Sequence, residues 1–342
     1  MQVCRQADRL QNIASKLADS KVDVMKRILN LLLLVFLVSC ANPEVAETST
    51  PVNTKIIPTN TFPPPTAVPS ITPTITFTPQ APCDPFTVDS CITDGHFILQ
   101  RPIQPPADDL IDPSYGYGST ANGTREPHHG VEFSNPSGTP VHAAADGTVI
   151  FAGPDEAAIY APWGNFYGDL VVIEHGDDLF TLYAHLSRID VNVNQKVSAG
   201  DKIGEVGRTG GAIGSHLHFE VRRGDGRNYF ATQNPELWLL PAKDANGNVL
   251  GTLMISVIDG DSNLVEHANF TIGYYSNPSG SPLKIYYAAP YSPDMLNGEE
   301  SAVLGELAVG HYRIAVEMNG QILERWVEVQ SGRLTQVVFV VD

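Results

Sequence analysis

Two short stretches of the chain contain residues that could do metal chemistry. The first runs from His128 to Glu132 and reads His-His-Gly-Val-Glu; the second runs from His216 to Glu220 and reads His-Leu-His-Phe-Glu. Histidines two residues apart on a strand project from one face, and a histidine four residues before a carboxylate also shares its face, on strand or helix. Imidazole nitrogens and carboxylate oxygens are zinc ligands in proteins. If the fold brings the stretches together, they predict a zinc site.

Short apolar runs broken by Gly, Pro, Asn and Asp surround both stretches and predict the strands that position them. These runs are Val141–Phe151, Leu170–Glu174, Leu179–His185, Lys202–Val206 and Leu217–Val221. No stretch in this region has a helical period of useful length. The pattern therefore predicts an all-β, antiparallel sandwich or barrel over residues 83–241.

The same region contains a series of motifs in a fixed order. They are His128–Phe133, Gly138–Val141 with Ala144–Val149, Leu170–Gly176, Leu182–Ser187, Val197–Gly204 and Gly214–Val221. Over roughly residues 110–225, their order and spacing resemble the M23 family of zinc metallopeptidases, the lysostaphin- and LytM-like peptidoglycan endopeptidases. Because several independent motifs agree, the resemblance does not depend on a single short pattern.

The resemblance implies a role for each residue of the site. It implies that His128, Glu132 and His218 bind zinc, and that His185 and His216 are catalytic. We assign proton transfer to His216 and stabilisation of the oxyanion to His185, although the two roles could be exchanged. The family has Asp where this chain has Glu132, so the carboxylate is displaced by one methylene.

Two residues beside these positions have other predicted roles. His129 is adjacent to a predicted ligand, but alternation along a strand sends it to the opposite face. Glu220 shares a face with His216 and His218, so it could support a metal ligand by a hydrogen bond. A purely structural role for Glu220 is equally compatible with the sequence.

The implied function is a zinc-dependent endopeptidase that hydrolyses peptide cross-links or stems of bacterial peptidoglycan. Because Glu132 replaces Asp, an alternative stays open: a catalytically inactive M23-like lipoprotein that binds cell wall or activates another hydrolase. A further alternative is a binding lipoprotein whose C-terminal domain performs the function. The sequence specifies neither the bond that is cut nor the oligomeric state.

The N-terminus predicts export and a lipid anchor. Lys26 and Arg27 precede the apolar run 28–38, which is typical of a secretory signal peptide and short for a membrane span. The end of the run, Leu-Val-Ser-Cys, resembles a bacterial lipobox with Cys40 as the lipidated residue. We therefore predict a signal peptide over 1–39, starting at Met25, and a membrane-anchored protein on the extracytoplasmic side. An ordinary signal peptide or an uncleaved anchor is the alternative.

Residues 40–82 are rich in Pro and Thr and predict an extended linker. Cys83 and Cys91 follow, and in an exported protein they predict a disulfide, with two free thiols as the alternative. The formal net charge of −17 argues against nucleic acid as a partner, since phosphates would be repelled.

The C-terminal residues 249–342 predict a second, smaller domain. Seven alternating runs are separated by turn signals: 250–258, 269–275, 284–288, 301–307, 311–318, 322–329 and 334–341. This spacing predicts an immunoglobulin- or prealbumin-like β-sandwich. The sequence does not choose between a spacer, an interaction module and a positioning element.

Overall fold

Strands dominate the part of the chain that the computed structural model describes, which is residues 83–341 without 122, 267, 289, 290, 297 and 319. The predicted signal peptide, Cys40 and the Pro/Thr-rich linker lie outside these residues. The all-β prediction is confirmed. Helical structure is limited, among the described residues, to three short 3-10 turns: Pro113–Tyr115, Pro235–Leu237 and Pro293–Met295. No helix in the described part is long and apolar enough to cross a bilayer.

The first eleven strands lie between residues 91 and 233. They are β1 (Cys91–Thr93), β2 (Val131–Phe133), β3 (Pro140–His142), β4 (Gly147–Pro154), β5 (Asp169–Gly176), β6 (Leu179–Leu186), β7 (Arg188–Ile189), β8 (Lys196–Val197), β9 (Lys202–Glu205), β10 (Leu217–Arg223) and β11 (Thr232–Gln233). Seven of them form an antiparallel sheet in the order β11-β10-β6-β5-β4-β8, with β2 also paired to β10. A small second sheet has the order β3-β9-β7.

The central strands of the large sheet are covered on both faces. All eight residues of β6 are buried, as are the first six of β10. One face packs Val171, Ile173, Tyr183 and Phe219 into the main core, and the other packs Leu170, Val172 and Leu182 against Tyr167. Burial on both faces explains why these runs are almost continuously apolar, and it makes β6 and β10 a rigid platform.

The predicted strand Val141–Phe151 is wrong as a single element. The structure divides it into β3 and β4, which belong to different sheets, with a bend over residues 144–146. Gly147 begins β4 where it passes close to β5, and an added Cβ would lie 2.5 Å from the carbonyl oxygen of Glu174. The apolar run is therefore interrupted by the bend that ends at Asp146, directly before β4 begins at Gly147.

Seven further strands follow where the sequence predicts them. They are β12 (Gly251–Ile258), β13 (Asn269–Tyr275), β14 (Lys284–Ala288), β15 (Ala302–Leu307), β16 (Gly310–Met318), β17 (Gln321–Val329) and β18 (Leu334–Val340). Together with β1 they form two four-stranded sheets, β1-β18-β12-β15 and β14-β13-β16-β17, which we call the C-terminal sandwich. Its apolar core includes Leu253, Ile272, Tyr312 and Phe339. The likeness of this sandwich to an immunoglobulin or prealbumin domain stays a prediction.

The start of the described chain is joined to the C-terminal sandwich. A disulfide links Cys83 and Cys91, and β1 directly after it pairs antiparallel with β18. The sequence assigned residues 83–93 to the peptidase-like region, whereas the structure pairs Cys91–Thr93 with the C-terminal sheet. The domain limits at 83–241 and 249–342 stay predictions.

Candidate metal centre

Strand pairing brings the two histidine-containing stretches together. In the antiparallel pairing of β10 with β2, His218 lies directly opposite Glu132. On its other edge β10 pairs with β6, where His218 lies opposite Ala184, the residue before His185. Because β10 has a strand on each side, residues some ninety positions apart in the sequence share one site.

Three side chains converge on a point between β2 and β10. The distance from Nε2 of His128 to Oε1 of Glu132 is 2.9 Å, and that from Nε2 of His128 to Nδ1 of His218 is 3.2 Å. Nδ1 of His218 lies 3.1 Å from Oε1 of Glu132. These three atoms form a nearly equilateral triangle of potential metal ligands.

The triangle fits the ligand set of zinc. Zinc–nitrogen and zinc–oxygen bonds of ~2.0–2.1 Å in a tetrahedral arrangement separate the ligand atoms by roughly 3.3 Å. The observed separations are slightly shorter, and the donor types, two imidazoles and one carboxylate, are those that zinc takes in sites with a fourth position open. The longer side chain of Glu132 therefore still places an oxygen among the donor atoms.

The charges of the triangle reflect its burial and the proximity of its members. Burial opposes ionisation of Glu132, but the neighbouring histidines, His218 first, outweigh it and hold the pKa of that carboxyl well below its usual range. Burial likewise opposes protonation of His218, yet the carboxylates of Glu132 and Glu220 raise its pKa to about 10. A metal that binds His218 would therefore displace a proton.

A fully buried polar cluster lies behind His218. Nε2 of His218 lies 3.0 Å from Oε1 of Glu220, and the guanidinium of Arg222 donates to the other oxygen, Nε to Oε2 at 2.8 Å. The hydroxyl of Tyr167 also donates to Glu220. Glu220, Arg222 and Tyr167 have no exposed surface, so the cluster fixes one side of the His218 ring.

Sequence reasoning left the role of Glu220 open and missed its two partners. Arg222 lies two residues after Glu220 on β10, on the same face, so strand alternation could have indicated the pair. Tyr167 comes from the loop before β5, and no local sequence signal connects it to β10.

The two predicted catalytic histidines lie beside the triangle. The centroids of the His185 and His216 rings are 4.9 Å apart, and the His185 ring is 5.7 Å from that of His218. Nε2 of His216 lies 2.9 Å from Oε2 of Glu132. All five side chains that the sequence selected for the site therefore lie in one cluster.

Each catalytic candidate also contacts a backbone carbonyl. Nδ1 of His185 lies 2.9 Å from the carbonyl oxygen of Thr209, and Nδ1 of His216 lies 3.1 Å from that of Gly214. Burial, together with the charges of His218 and His216, lowers the pKa of His185 to about 3. His185 is therefore a neutral imidazole whose Nδ1–H donates to Thr209.

His129 faces away from the triangle, as alternation predicts. Its Nδ1 lies 3.2 Å from the hydroxyl of Thr232, and its ring packs 3.8 Å from that of Tyr229. The neighbouring candidate ligand, His128, is covered by Tyr115. The two rings are stacked with nearly parallel planes, and their centroids are 4.1 Å apart. Tyr115, the last residue of the first 3-10 turn, thus covers one wall of the site.

A comparison with known protein families identifies the region of the chain that contains this site. Residues 126–230, which include all five site residues, match the model of Peptidase family M23. The chain contains an M23 peptidase domain. This chain spans less than half the length of each of the curated relatives described next.

Three relatives and one solved structure illustrate the match. Peptidoglycan DD-endopeptidase ShyA of Vibrio cholerae is 40% identical over 119 residues, 34% of this chain and 26% of ShyA. Cell division protein DipM of Caulobacter vibrioides is 39% identical over 29% of this chain and 15% of DipM. The uncharacterized lipoprotein YgeR of Escherichia coli is 37% identical over 36% of this chain and 42% of YgeR. The catalytic domain of lysostaphin from Staphylococcus simulans aligns with 35% of this chain and 86% of that domain, at 32% identity and a TM-score of 0.30.

Proposed function

We propose that this protein is a zinc-dependent endopeptidase that hydrolyses peptide cross-links or stems of bacterial peptidoglycan. The observation that carries the proposal is the convergence of His128, Glu132 and His218 within 3.2 Å of one another, with two further histidines beside them. The M23 domain supports the substrate class, as does the similarity to ShyA, a peptidoglycan DD-endopeptidase.

In this proposal His128, Glu132 and His218 hold the zinc ion. Zinc, when bound, supplies a Lewis acid that lowers the pKa of water to about 7 and polarises a carbonyl group. The substitution of Glu for the family's Asp does not argue against this role, because Oε1 of Glu132 reaches the other two donor atoms.

The hydrogen bonds support an exchange of the roles assigned to the catalytic histidines. Because Nδ1–H of His185 donates to Thr209, its Nε2 keeps a lone pair that can accept a proton. Both ring nitrogens of His216 face oxygen atoms, Nδ1 the carbonyl of Gly214 and Nε2 the carboxylate of Glu132, so the position suits an N–H donor better than a lone pair. We therefore propose that His185 accepts the proton of the attacking water and that His216 donates to the developing oxyanion.

The buried cluster has a supporting role in the same proposal. Glu220 accepts the hydrogen bond from Nε2 of His218 and so directs the Nδ1 lone pair toward the other two donor atoms. Arg222 compensates the charge of Glu220. Metal-binding histidines commonly have such a carboxylate partner, which fixes the ring and its tautomer.

We also propose that the enzyme acts outside the cytoplasmic membrane, anchored by lipid at Cys40. The support comes from the signal-like residues 26–40 and the lipobox-like sequence around Cys40. One relative, YgeR, is named a lipoprotein. A linker of the composition of residues 40–82 can extend by ~3.1 Å per residue, so the M23 domain could reach wall at some distance from its anchor.

Digestion of purified peptidoglycan, with mass spectrometry of the released muropeptides, tests the proposal. Wild-type protein loaded with one zinc ion should cleave peptide bonds, a chelator should abolish cleavage, and added zinc should restore it. His218→Ala should lose both zinc and cleavage. Undiminished hydrolysis by His218→Ala would contradict the proposal. Full zinc occupancy without any cleavage would favour the alternative of an inactive binding or activating protein.

A further inference from the structure

A loop of the C-terminal sandwich packs against the two segments that flank the candidate metal centre. Tyr291, which lies between β14 and β15, is 4% exposed. Its ring packs edge-on against Tyr117 at 5.2 Å, and its hydroxyl accepts a hydrogen bond from Nδ2 of Asn234 at 2.7 Å. Tyr117 and Asn234 lie just before and just after residues 126–230, the range of the M23 match.

Gly118 connects this loop to the backbone of a candidate ligand. The backbone N–H of Ser292 donates to the carbonyl of Gly118 at 2.9 Å, and the N–H of Gly118 donates to the carbonyl of His128 at 2.8 Å. Gly118 has φ +72°, and an added Cβ would lie 2.6 Å from the Tyr291 ring. The Tyr291 ring therefore lies directly against the residue that is hydrogen-bonded to His128.

Tyr117 extends the contact to the other side of the site. Its hydroxyl donates to the carbonyl of Thr232 at 2.9 Å, and the hydroxyl of Thr232 lies against His129. Tyr291 is thus wedged between the segment 117–118 and the segment 232–234, which together flank the His128-His129 pair.

His128 depends on such external support because it precedes β2, which begins at Val131. Its backbone is held by the carbonyl of Ser119 and the N–H of Gly118 rather than by the large sheet. A metal ligand must be held within about 0.5 Å of its productive position. The segment that holds His128 is itself held by Tyr291 and Ser292.

We propose that Tyr291 is a positioning residue for the metal centre, so that the C-terminal sandwich is a working part of the site and not a spacer. The inference rests on the proposed function, since it assigns His128 to the zinc. The sandwich acts through a single side chain. The Tyr291 ring packs against Gly118 and holds it in place, and Gly118 in turn holds the backbone of His128 by a hydrogen bond.

The test compares Tyr291→Ala with the matched variant Tyr312→Ala. Tyr312 is also fully buried, but its ring packs on Tyr274 and its hydroxyl donates to the carbonyl of Ala308, all within the sandwich. Folded protein, verified by circular dichroism, is titrated with zinc against a chelator. We expect Tyr291→Ala to weaken zinc binding by roughly 3- to 30-fold and to lower kcat more than it raises KM. Tyr312→Ala should retain wild-type zinc affinity.

Amide hydrogen exchange supplies a readout that needs no metal. The Gly118 and His128 amides should exchange at least several-fold faster in Tyr291→Ala than in wild type or Tyr312→Ala. Tyr291→Phe keeps the ring and loses only the bond to Asn234, so it should restore most of the protection and the zinc affinity. Unchanged exchange in Tyr291→Ala, or an equal loss of zinc affinity in both alanine variants, would overturn the inference. Absence of zinc binding in wild type would instead refute the proposed function. The exchange result would then decide alone whether Tyr291 holds Gly118 and His128 in place.

Discussion

The carboxylate of Glu220 lies 3.0 Å from Nε2 of His218, the ring nitrogen opposite the one that faces Glu132 and His128. A histidine whose Nε2–H donates to a carboxylate keeps its Nδ1 lone pair available for a metal. The pair lies in a fully buried cluster, where the carboxylate is held by Arg222 and Tyr167. The orientation of His218 is thus set by residues that have no exposed surface.

Substitution of Glu220 by Gln should weaken zinc binding. The amide loses the negative charge that holds the His218 N–H, and loss of such partners typically costs 10- to 100-fold in metal affinity. It also leaves the buried Arg222 without its counter-ion, which should destabilise the fold by roughly 3–5 kcal/mol. Chelator competition and urea unfolding measure the two effects. The control is Glu174→Gln, an exposed glutamate on β5; equal zinc affinity of the two variants would contradict the role of Glu220.

Glu132 should tolerate shortening better than removal. Because Oε1 of Glu132 lies between the two histidine nitrogens, Glu132→Asp keeps a carboxylate that small movements of β2 can bring into place, whereas Glu132→Ala removes the only anionic member of the triangle. We expect Glu132→Asp to retain zinc and Glu132→Ala to lose most of it, as measured by metal analysis of dialysed protein. Full zinc occupancy in the alanine variant would remove Glu132 from the ligand set.

His185 and His216 should separate catalysis from metal binding. Neither contributes an atom to the triangle, so both alanine variants should keep zinc. We expect kcat to fall by roughly 10²- to 10⁴-fold in His185→Ala, the usual contribution of proton transfer, and by roughly 10²- to 10³-fold in His216→Ala, the usual cost of losing one oxyanion donor. His311→Ala, at an exposed histidine of the C-terminal sandwich, is the control for handling and folding. If either active-site variant kept wild-type turnover, its histidine would have no catalytic role.

The sequence predicted most strands and the five side chains of the cluster, because both depend on local patterns. Alternation located β12 to β18 to within a residue or two at each end, and the resemblance to the M23 family selected His185, which lies in neither opening stretch. The pairing of β1 with β18 and the insertion of Tyr291 beside Gly118 were not predictable. They depend on contacts between segments more than 150 residues apart, which leave no periodic signal.

A buried carboxyl at the junction of the M23 domain and the sandwich gives a prediction for stability. Glu236 accepts a hydrogen bond from the backbone N–H of Gly305 on β15. Burial and the nearby carboxylate of Glu306 raise the pKa of Glu236 to about 7, against a usual value of 4.5, and the opposing charge of Arg101 does not cancel this. The folded state therefore favours a protonated Glu236.

The free energy of unfolding should fall as pH rises through this window. Between about pH 4.5 and 7 the unfolded chain has released the Glu236 proton while the folded chain retains it, so the folded state binds more protons and loses stability with rising pH. The full shift is worth roughly 3 kcal/mol. Glu236→Gln removes this titration, so relative to wild type it should gain up to that amount between pH 4 and pH 8, measured by urea unfolding at several pH values. A difference between Glu236→Gln and wild type that does not change with pH would show that the pKa of Glu236 is the same in the folded and the unfolded chain, contrary to this prediction.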